Sequence, residues 1–237
     1  VSRKGPADFV SSADRRAEKI LHNALAQAHP EFGLLMEEGG EIKGSDDRHR
    51  WIIDPLDGTT NFLHGLPHFC ISVALERDGQ VVAGIVYDPV KDELFWAERG
   101  LGAYVNDRRL RVSGRGRIRE GVFATGIPFL GIQDGLGHQK FLGQLGSVMA
   151  ECAGVRRFGS AALDLAYVAA GRYDGFWENG LNPWDVAAGV LLVREAGGLV
   201  TDIAGRRYEL GAADICAGND QLHQPLRNLL RKMPARD

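Results

Sequence analysis

Two aspartates placed three residues apart form the densest group of reactive side chains in this sequence. Asp54 and Asp57 follow a short apolar run and enclose Pro55 and Leu56, and Gly58 comes directly after them. The proline stiffens this turn and the glycine removes a side chain, so the Leu56 carbonyl can point the same way as both carboxylates. Oxygen ligands of this kind suit a hard cation such as Mg²⁺. The alternative is an aspartate-rich turn whose side chains only cap local amides.

Three further acids could join this pair. Glu37 and Glu38 stand at the end of a predicted strand, and Asp185 stands in the first turn of a predicted helix. Taken singly, paired acids in a loop are usually solvated, and an acid in a first turn usually offsets the helix dipole. Five carboxylates can share one cleft only if cations lie among them. The set therefore predicts a metal site if the fold brings its members together.

The elements that must position these acids fall into two halves, and the first half is 1–115. A helix with apolar residues at helical spacing begins with a capping box from Ser11 to Asp14. Residues 37–50 are polar and rich in glycine, which predicts a surface loop. Short strand-like runs separated by turn residues predict an antiparallel sheet: Phe32–Met36, Trp51–Ile53, Phe69–Leu75, Val81–Tyr87, Glu93–Ala97 and Ala103–Val105.

The second half, 116–237, alternates strands with helices. Ser160 and Asn182 are suited to cap the helices that follow them, and Pro183 suits a first helical position. The predicted strands are Gly121–Thr125, Val155–Phe158, Tyr173–Glu178, Leu199–Asp202 and Asp214–Ala217. The predicted helices are Gln139–Glu151, Ser160–Ala170, Trp184–Ala196 and Gln221–Leu230. This alternation predicts an α/β layer beside the antiparallel sheet, and we expect the halves to form one compact catalytic unit.

Composition excludes several classes of protein. The 237 residues are 44% apolar and carry a net charge of −3, which excludes a disordered chain and any global attraction for nucleic acid. No apolar run approaches the ~18 residues that a membrane helix needs. The three cysteines, Cys70, Cys152 and Cys216, are odd in number and far apart, so they form no disulfide framework or zinc motif. This pattern favours a reducing cytoplasm.

Two stretches resemble the signatures of the inositol monophosphatase family. Trp51–Phe62 resembles its pattern W-x-x-D-P-[IL]-D-G-T-x-N-F, and Trp184–Gly189 with Glu195–Gly198 resembles W-D-x-A-[AG]-G followed by E-A-G-G. Their order and separation also agree with the family, and the similarity extends over essentially the whole chain. It is greatest for the bacterial inositol-1-monophosphatase branch with its SuhB-like members. The resemblance implies a layered α-β-α-β-α sandwich that is usually a dimer.

The same resemblance implies roles for individual residues. The metal ligands would be four side chains and one main-chain carbonyl: Glu37, Asp54, Asp57, Asp185 and Leu56. Glu38 corresponds to a carboxylate that reaches the metals through water. Thr59 corresponds to the threonine beside the attacking water, and Asp14 to the acid paired with that threonine. The amides of Gly58 and Thr59 would hold the phosphate, and the inositol ring would be lined by Gly159, Ser160, Ala161 and Glu178.

This chain departs from the family pattern in three places. The family has G-E-E-[ST] around its first ligand, whereas Met36–Gly39 reads Met-Glu-Glu-Gly, so we expect a loop of different geometry that keeps both acids. A lysine common near the active-site entrance corresponds to Arg3, with Lys4 beside it. Family members also carry a helical stretch before the point that corresponds to Val1. This sequence does not begin with methionine, so we expect a chain trimmed at its N-terminus.

The parts predict a Mg²⁺-dependent hydrolase that releases phosphate from a monoester by in-line attack of a metal-activated water. The resemblance implies that the substrate is myo-inositol 1-phosphate, converted into inositol and phosphate, and that lithium inhibits the enzyme. Relatives act on fructose 1,6-bisphosphate, 3′-phosphoadenosine 5′-phosphate or histidinol phosphate, so these substrates stay open. Some SuhB-type proteins act in RNA polymerase and ribosomal RNA transcription complexes. The six arginines of Arg108–Arg119 are therefore either a footprint for such a partner or a solvated hairpin. Glu178 is either a polyol-binding carboxylate or a strand-end acid paired with Arg172.

Overall fold

Six α-helices and fifteen β-strands make up the part of the chain that the computed structural model describes, residues 2–5, 8–10, 12–128 and 135–232. The helices are α1 (Ser12–Ala28), α2 (Thr59–Leu63), α3 (Gly135–Met149), α4 (Ala161–Ala169), α5 (Pro183–Glu195) and α6 (His223–Arg231). The strands of the first half are β1 (Ser2–Gly5), β2 (Asp8–Val10), β3 (Phe32–Met36), β4 (Gly40–Ile42), β5 (Asp46–Asp57), β6 (Cys70–Arg77), β7 (Gln80–Asp88), β8 (Glu93–Glu98), β9 (Gly102–Val105) and β10 (Arg108–Arg109). The strands of the second half are β11 (Val122–Thr125), β12 (Gly154–Arg156), β13 (Gly175–Asn179), β14 (Leu199–Thr201) and β15 (Asp214–Gly218).

The first large sheet confirms the predicted antiparallel meander. Its eight strands lie in the order β10-β9-β8-β7-β6-β5-β3-β4, and only β3 and β5 run parallel to each other. The β6–β7 hairpin turns at Asp78 and Gly79, which both have positive φ, 52° and 72°. Two successive positive φ angles match the right-handed twist of the flanking strands, and aspartate and glycine adopt them readily. Local turn chemistry therefore sets the register of this hairpin.

The polar segment before the aspartate motif is more regular than its composition predicts. The predicted loop over 37–50 contains β4 and the first half of β5, so β5 has 12 residues and extends well beyond Trp51–Ile53. β5 lies in the sheet interior between β3 and β6, where neighbours on both sides take its backbone hydrogen bonds. Its polar side chains pair across the sheet, as in the Arg50–Glu76 ion pair at 2.7 Å. The loop prediction was wrong because this pairing is not local.

The second sheet is mixed. Its five strands lie in the order β12-β11-β13-β15-β14, with the first three parallel and the last two antiparallel to their neighbours. All five predicted strands and all four predicted helices of this half are present, with ends shifted by a few residues. Ser160 and Asn182 cap α4 and α5 as predicted, and Pro183 begins α5.

Two buried helices hold the sheets together. Every residue of α4 is buried, and α4 and α5 share one apolar core with both sheets, including Phe95, Leu163, Phe176 and Leu192. Burial of each such side chain contributes roughly 1.5–3 kcal/mol. Helix α1 packs on the outer face of the first sheet, and α3 and α6 pack on the outer face of the second. The order of layers confirms the α-β-α-β-α sandwich.

Several expectations fall outside what the structure describes. Ser11, the first residue of the predicted capping box, is not among the described residues, and neither is the side chain of Arg3. The division into halves at residue 115 stays a prediction. All three cysteines are free thiols. None of the described helices combines the length and the apolar character that a membrane crossing requires.

Candidate active site

The aspartate motif lies where β5 leaves the first sheet and the chain enters α2. The pairing of β5 with β6 shifts register between Asp54 and Asp57, so the strand is irregular at this point. Asp54 is only 2% exposed, and its Oδ1 accepts the Leu56 N–H at 3.0 Å. Gly58 follows with a φ of 96°, a left-handed conformation that strains any residue with a Cβ. The irregular strand end and the glycine turn together place the motif at the sheet edge.

Asp57 is held by the first turn of α4. Its Oδ2 accepts the Ser160 hydroxyl at 2.7 Å and the Ala162 N–H at 2.8 Å, and the Cys70 thiol lies 3.8 Å away. Burial raises the pKa of Asp57 to about 6, although these hydrogen bonds act in the opposite direction. A contact between residues 103 positions apart thus orients this carboxylate. Its Oδ1 takes part in none of these bonds.

Three other acids converge on Asp54, one from its own strand and two from elsewhere in the chain. Burial raises the pKa of Asp54 well above its usual range, and the charges of Asp57, Glu37 and Asp185 raise it further. Such an effect requires neighbouring charges at short range. Asp185 is brought there by α5, where its Oδ2 accepts the Asn182 N–H at 2.7 Å in a capping box. The structure therefore gathers four of the five acids singled out in the sequence.

The paired glutamates are placed by β5 and α1. Glu37 donates its N–H to the Ile53 carbonyl at 3.2 Å, which carries the β3–β5 pairing one residue past the end of β3. Glu38 donates its N–H to Glu18 Oε2 at 2.9 Å, and Glu18 lies one helical turn after Asp14 on α1. Both glutamates are partly buried rather than solvated. The Met-Glu-Glu-Gly turn is thus tied to the sheet on one side and to the helix on the other.

Thr59 and Asp14 form a hydrogen bond beside this acidic region. The Thr59 hydroxyl lies 2.8 Å from Asp14 Oδ1 and 3.1 Å from the Leu56 carbonyl oxygen. Asp14 is fully buried although it is a charged residue type. The two side chains come from α1 and α2, which are 45 residues apart in the chain. In the sequence, only the family resemblance links Thr59 with Asp14, and the structure shows that the two side chains are in contact.

The chemistry of the donor set fits a hard divalent cation. Among the described residues, no three His, Cys, Asp or Glu side chains already stand in a metal-ligand arrangement. Asp54 turns one oxygen to the local Leu56 N–H, so the local capping alternative is also correct for Asp54. It is wrong for Asp57, whose donors Ser160 and Ala162 belong to the distant start of α4. The mutual repulsion that raises the pKa of Asp54 is what a bound cation would relieve. Carboxylate and carbonyl oxygens are the ligands that Mg²⁺ prefers.

Glu178 faces the same region from the end of β13. Burial raises its pKa to about 8, the charges of Asp185 and Asp57 raise it as well, and Arg157 lowers it. The Glu178 carboxylate lies against Gly126, where any added Cβ would overlap both of its oxygens. The alternative partner Arg172 instead pairs with Glu93 through two hydrogen bonds. Glu178 is therefore not a strand-end acid paired with Arg172.

The turn before α4 was expected to line the inositol ring, but the side chain of Ser160 in this turn points to Asp57. Gly159 has a φ of 85°, and Ala161 is 7% exposed at the start of the helix. Ser160 is 1% exposed, and its hydroxyl contacts Asp57 and caps the Leu163 N–H. Ser160 therefore holds a proposed metal ligand, and the remaining surface of this turn is that of Gly159 and Ala161.

Comparison with known proteins agrees with this geometry. The sequence profile of the inositol monophosphatase family matches residues 1–234. This chain belongs to the inositol monophosphatase family. An inositol-1-monophosphatase from Rhizobium meliloti is 57% identical over 232 residues, covering 98% of this chain and 86% of the relative. The Nus factor SuhB of Pseudomonas aeruginosa is 49% identical over 229 residues, covering 95% and 84%. The crystal structure of extragenic suppressor protein suhB from Bartonella henselae has a TM-score of 0.94 at 59% identity, covering 98% of this chain and 88% of that one.

Family membership confirms the predicted enzyme class. The chain is an inositol monophosphatase-type hydrolase, and its family depends on metal ions. Nothing in these similarities assigns a role to an individual residue, so the residue roles remain predictions.

The structure of this inositol monophosphatase family member also adds residues that the sequence reasoning missed. Asn61 donates its Nδ2 hydrogens to the carbonyls of His68 and Phe158, both at 2.7 Å, and so ties the motif to the turn before α4. Asn61 lies within the first family signature, Trp51–Phe62, and its place in that motif could have marked it as a functional residue. Asp164 is only 1% exposed. Burial raises its pKa well above the usual range, and the nearby charges of Glu178 and Asp57 raise it further. No sequence pattern marks Asp164, because its neighbours come from distant elements.

Proposed function

We propose that this protein hydrolyses myo-inositol 1-phosphate in a Mg²⁺-dependent reaction. The observation that carries the proposal is the partly buried Thr59–Asp14 hydrogen bond at the edge of the acids that converge on Asp54. A phosphate monoester needs neutralised charge, an oriented water and a stabilised leaving oxygen. A cation held by the converging acids would neutralise the phosphate charge and stabilise the leaving oxygen. The Thr59–Asp14 pair would orient the water.

The metal ligands would be Glu37, Asp54, Asp57, Asp185 and the Leu56 carbonyl. Bound Mg²⁺ would neutralise phosphate charge and lower the pKa of a water molecule. The family resemblance implies that Glu38 would act one step away, through water. Its backbone N–H is fixed to Glu18 Oε2 at 2.9 Å. Ser160 and the Ala162 amide would keep Asp57 oriented while the site is loaded and emptied.

Thr59 would orient the attacking water. Its hydroxyl donates to Asp14, so its oxygen lone pairs are left to accept a hydrogen bond from water. Asp14 is fully buried and fixes the direction of that hydroxyl. The Gly58 and Thr59 amides would hold the phosphate oxygens. A positioned proton acceptor of this kind typically contributes ~10²–10⁴-fold in rate.

The substrate's hydroxyl groups would meet Glu178. An ionised carboxylate only accepts hydrogen bonds, and vicinal hydroxyls of a cyclitol are matching donors. Burial raises the pKa of Glu178 to about 8, and hydrogen bonds from substrate to the ionised form would lower it again. Gly159 and Ala161 would leave room for the ring because neither has a large side chain.

A phosphate-release screen tests this proposal directly. The purified protein is assayed with Mg²⁺ on myo-inositol 1-phosphate, fructose 1,6-bisphosphate, 3′-phosphoadenosine 5′-phosphate and histidinol phosphate, with a chelator control. We expect the highest kcat/KM on myo-inositol 1-phosphate, no turnover in excess chelator, and inhibition by lithium. A higher kcat/KM on one of the other three would replace the substrate, and full turnover in chelator would refute the metal site.

A second candidate function is contact with RNA polymerase or RNA. It is favoured by the similarity to relatives named Nus factor SuhB. Within Arg108–Arg119, Arg115 pairs with the buried Asp174 at 3.2 Å and Arg117 pairs with Glu120 at 3.4 Å. Part of this segment is thus anchored to the fold. Salt-sensitive RNA retention by an Asp57→Asn variant would show that a binding role exists apart from catalysis.

Two further expectations accompany this proposal. The homodimer implied by the family resemblance can be tested by light scattering of the purified protein. The cytoplasmic location inferred from the cysteine pattern can be tested by fractionation of the source cells. The phosphatase proposal depends on neither result, because every residue that it uses lies in one chain.

A further inference from the structure

A cavity of about 530 Å³ lies along α5, outside the acidic region. Its walls come from α5, from the β6–β7 turn, from the turn after β8 and from the segment 207–210. None of the proposed metal ligands lines it. The volume is within the usual range for small-molecule sites, roughly 300–1,000 Å³. We call it the arginine cavity, after Arg99, Arg194 and Arg207 in its walls.

The three arginines bring positive charge to this cavity from solvent-exposed positions. In the part of the chain that the structure describes, none of them forms an ion pair: Arg194 donates to the Tyr208 carbonyl at 3.0 Å, and Arg99 donates to the Gln80 side chain. Packing of the protein around Arg194 lowers its pKa, and the charges of Arg207 and Arg99 lower it further. Like charges held this close repel one another, and an anion between them would remove that repulsion.

The acids of the same cavity are mostly engaged elsewhere. Glu76 pairs with Arg50 at 2.7 Å. Both carboxylate oxygens of Glu195 accept backbone N–H groups of the β8–β9 turn, each at 3.0 Å. Glu209 is exposed to solvent, as the three arginines are, and forms no ion pair among the described residues. The wall acids therefore leave the three arginine side chains available to a ligand.

A buried phenol also borders the cavity. Tyr208 lines the cavity and is only 3% exposed, yet its hydroxyl has no hydrogen-bond partner among the described residues. Buried tyrosine hydroxyls are normally bonded, and each unpaired one carries a desolvation penalty. Burial raises the pKa of Tyr208 to about 12, the charges of Asp185 and Asp214 raise it as well, and Arg194 lowers it. Val190, Leu191 and Leu210 add apolar surface beside it.

We propose that the arginine cavity binds a small organic phosphate, with its phosphate groups on Arg99, Arg194 and Arg207 and its less polar part against Leu191 and Leu210. Arginine is suited to this role because its planar guanidinium forms paired hydrogen bonds with phosphate oxygens. The ligand is bound and not hydrolysed there, because the cavity lacks the converging acids of the candidate active site. The proposal is independent of the phosphatase activity.

Calorimetric titration with ADP in excess EDTA tests this site. Chelation removes the divalent ions through which a phosphate would bind the acidic region. We expect ADP to bind in the submillimolar range and adenosine not to bind. Arg207→Gln should weaken ADP binding by about tenfold or more, since charge-assisted hydrogen bonds to one guanidinium are lost.

Two further variants sharpen the result. Arg194→Gln should weaken ADP binding to a similar degree, and Arg207→Gln remains decisive if loss of the Arg194–Tyr208 bond unfolds the protein. Arg231→Gln removes the same charge from an exposed site at the end of α6 that is not part of the cavity wall, and should leave ADP binding within about twofold. Thermal melting checks that each variant is folded. Absence of ADP binding, equal binding of adenosine, or undiminished binding by folded Arg207→Gln would overturn the proposal.

Discussion

Substrate choice should depend on Gly126 as well as on Glu178, because the two residues are in contact. The Glu178 carboxylate occupies the space where a side chain at position 126 would begin, so Gly126→Ala must push it aside. The displaced atoms are the far end of a flexible side chain, which can move without disturbing the sheet. We therefore expect Gly126→Ala to reproduce the catalytic effect of Glu178→Gln while leaving the fold intact.

The size of the effect follows from the hydrogen bonds that are lost. A charge-assisted hydrogen bond between Glu178 and substrate hydroxyls contributes roughly 1.5–3 kcal/mol. At about 1.4 kcal/mol per factor of ten, either variant should lower kcat/KM on myo-inositol 1-phosphate by roughly 10–100-fold. Ethyl phosphate has no hydroxyl that could reach Glu178, so its turnover should fall much less. The double variant should lose little more than either single variant, because both remove the same contact.

The assay is phosphate release with Mg²⁺ on both substrates for the wild type, the two single variants and the double variant. Gly146→Ala is the matched control, since an added Cβ there meets nothing within 4 Å. It should leave both activities unchanged. Equal losses on the two substrates would show that Glu178 serves the metal site or the fold. Losses that multiply in the double variant would show that Gly126 does not act through Glu178.

Four further predictions concern the metal site, the proton path, the arginine segment and the pH dependence. Asp57→Asn and Asp185→Asn should remove nearly all Mg²⁺-dependent activity, because each deletes a charge that would hold the ion; calorimetry should show Mg²⁺ affinity falling with activity, and retained affinity would contradict the ligand roles. Thr59→Ala should lower kcat far more than KM, by ~10²–10⁴-fold, and Asp14→Asn should add little to it in the double variant; independent, multiplying losses would disprove the pair. Changing Arg108 and Arg119 to glutamine should leave kcat within a few-fold, as these arginines lie outside the site; a collapse of kcat in the folded protein would place the segment there. In the chelated protein, the pKa of Glu178 is about 8 in the folded state and about 4.5 in the unfolded state. Between these pH values Glu178 is protonated in the folded state and ionised in the unfolded state. The free energy of unfolding should therefore fall as pH rises from about 4.5 to about 8, by at most roughly 3–5 kcal/mol, and Glu178→Gln should flatten this slope in urea titrations.

Local features of this chain could be predicted from sequence because neighbouring residues decide them. Asn182 and Pro183 begin α5 as expected, since a helix start depends on the few residues that cap it. Asp78-Gly79 makes a hairpin turn for the same reason. The spacing of Asp54 and Asp57 around a proline likewise predicted an acidic turn at a strand end. The family resemblance then supplied the order of layers and the pairing of distant acids.

Other features were decided only by tertiary structure. The polar start of β5 is a strand because β3 and β6 lie on both sides of it, and hydrogen bonds to those neighbours outweigh a composition that favours a loop. Asp57 is oriented by Ser160 from 103 residues away. The space that Gly126 leaves for Glu178 likewise joins elements that are remote in sequence. The arginine cavity had no sequence signal at all, because Arg99, Arg194 and Arg207 come from separate segments that meet only when α5 packs against the first sheet. Burial and like-charge proximity depend on distances in space, and spacing along the chain does not encode those distances.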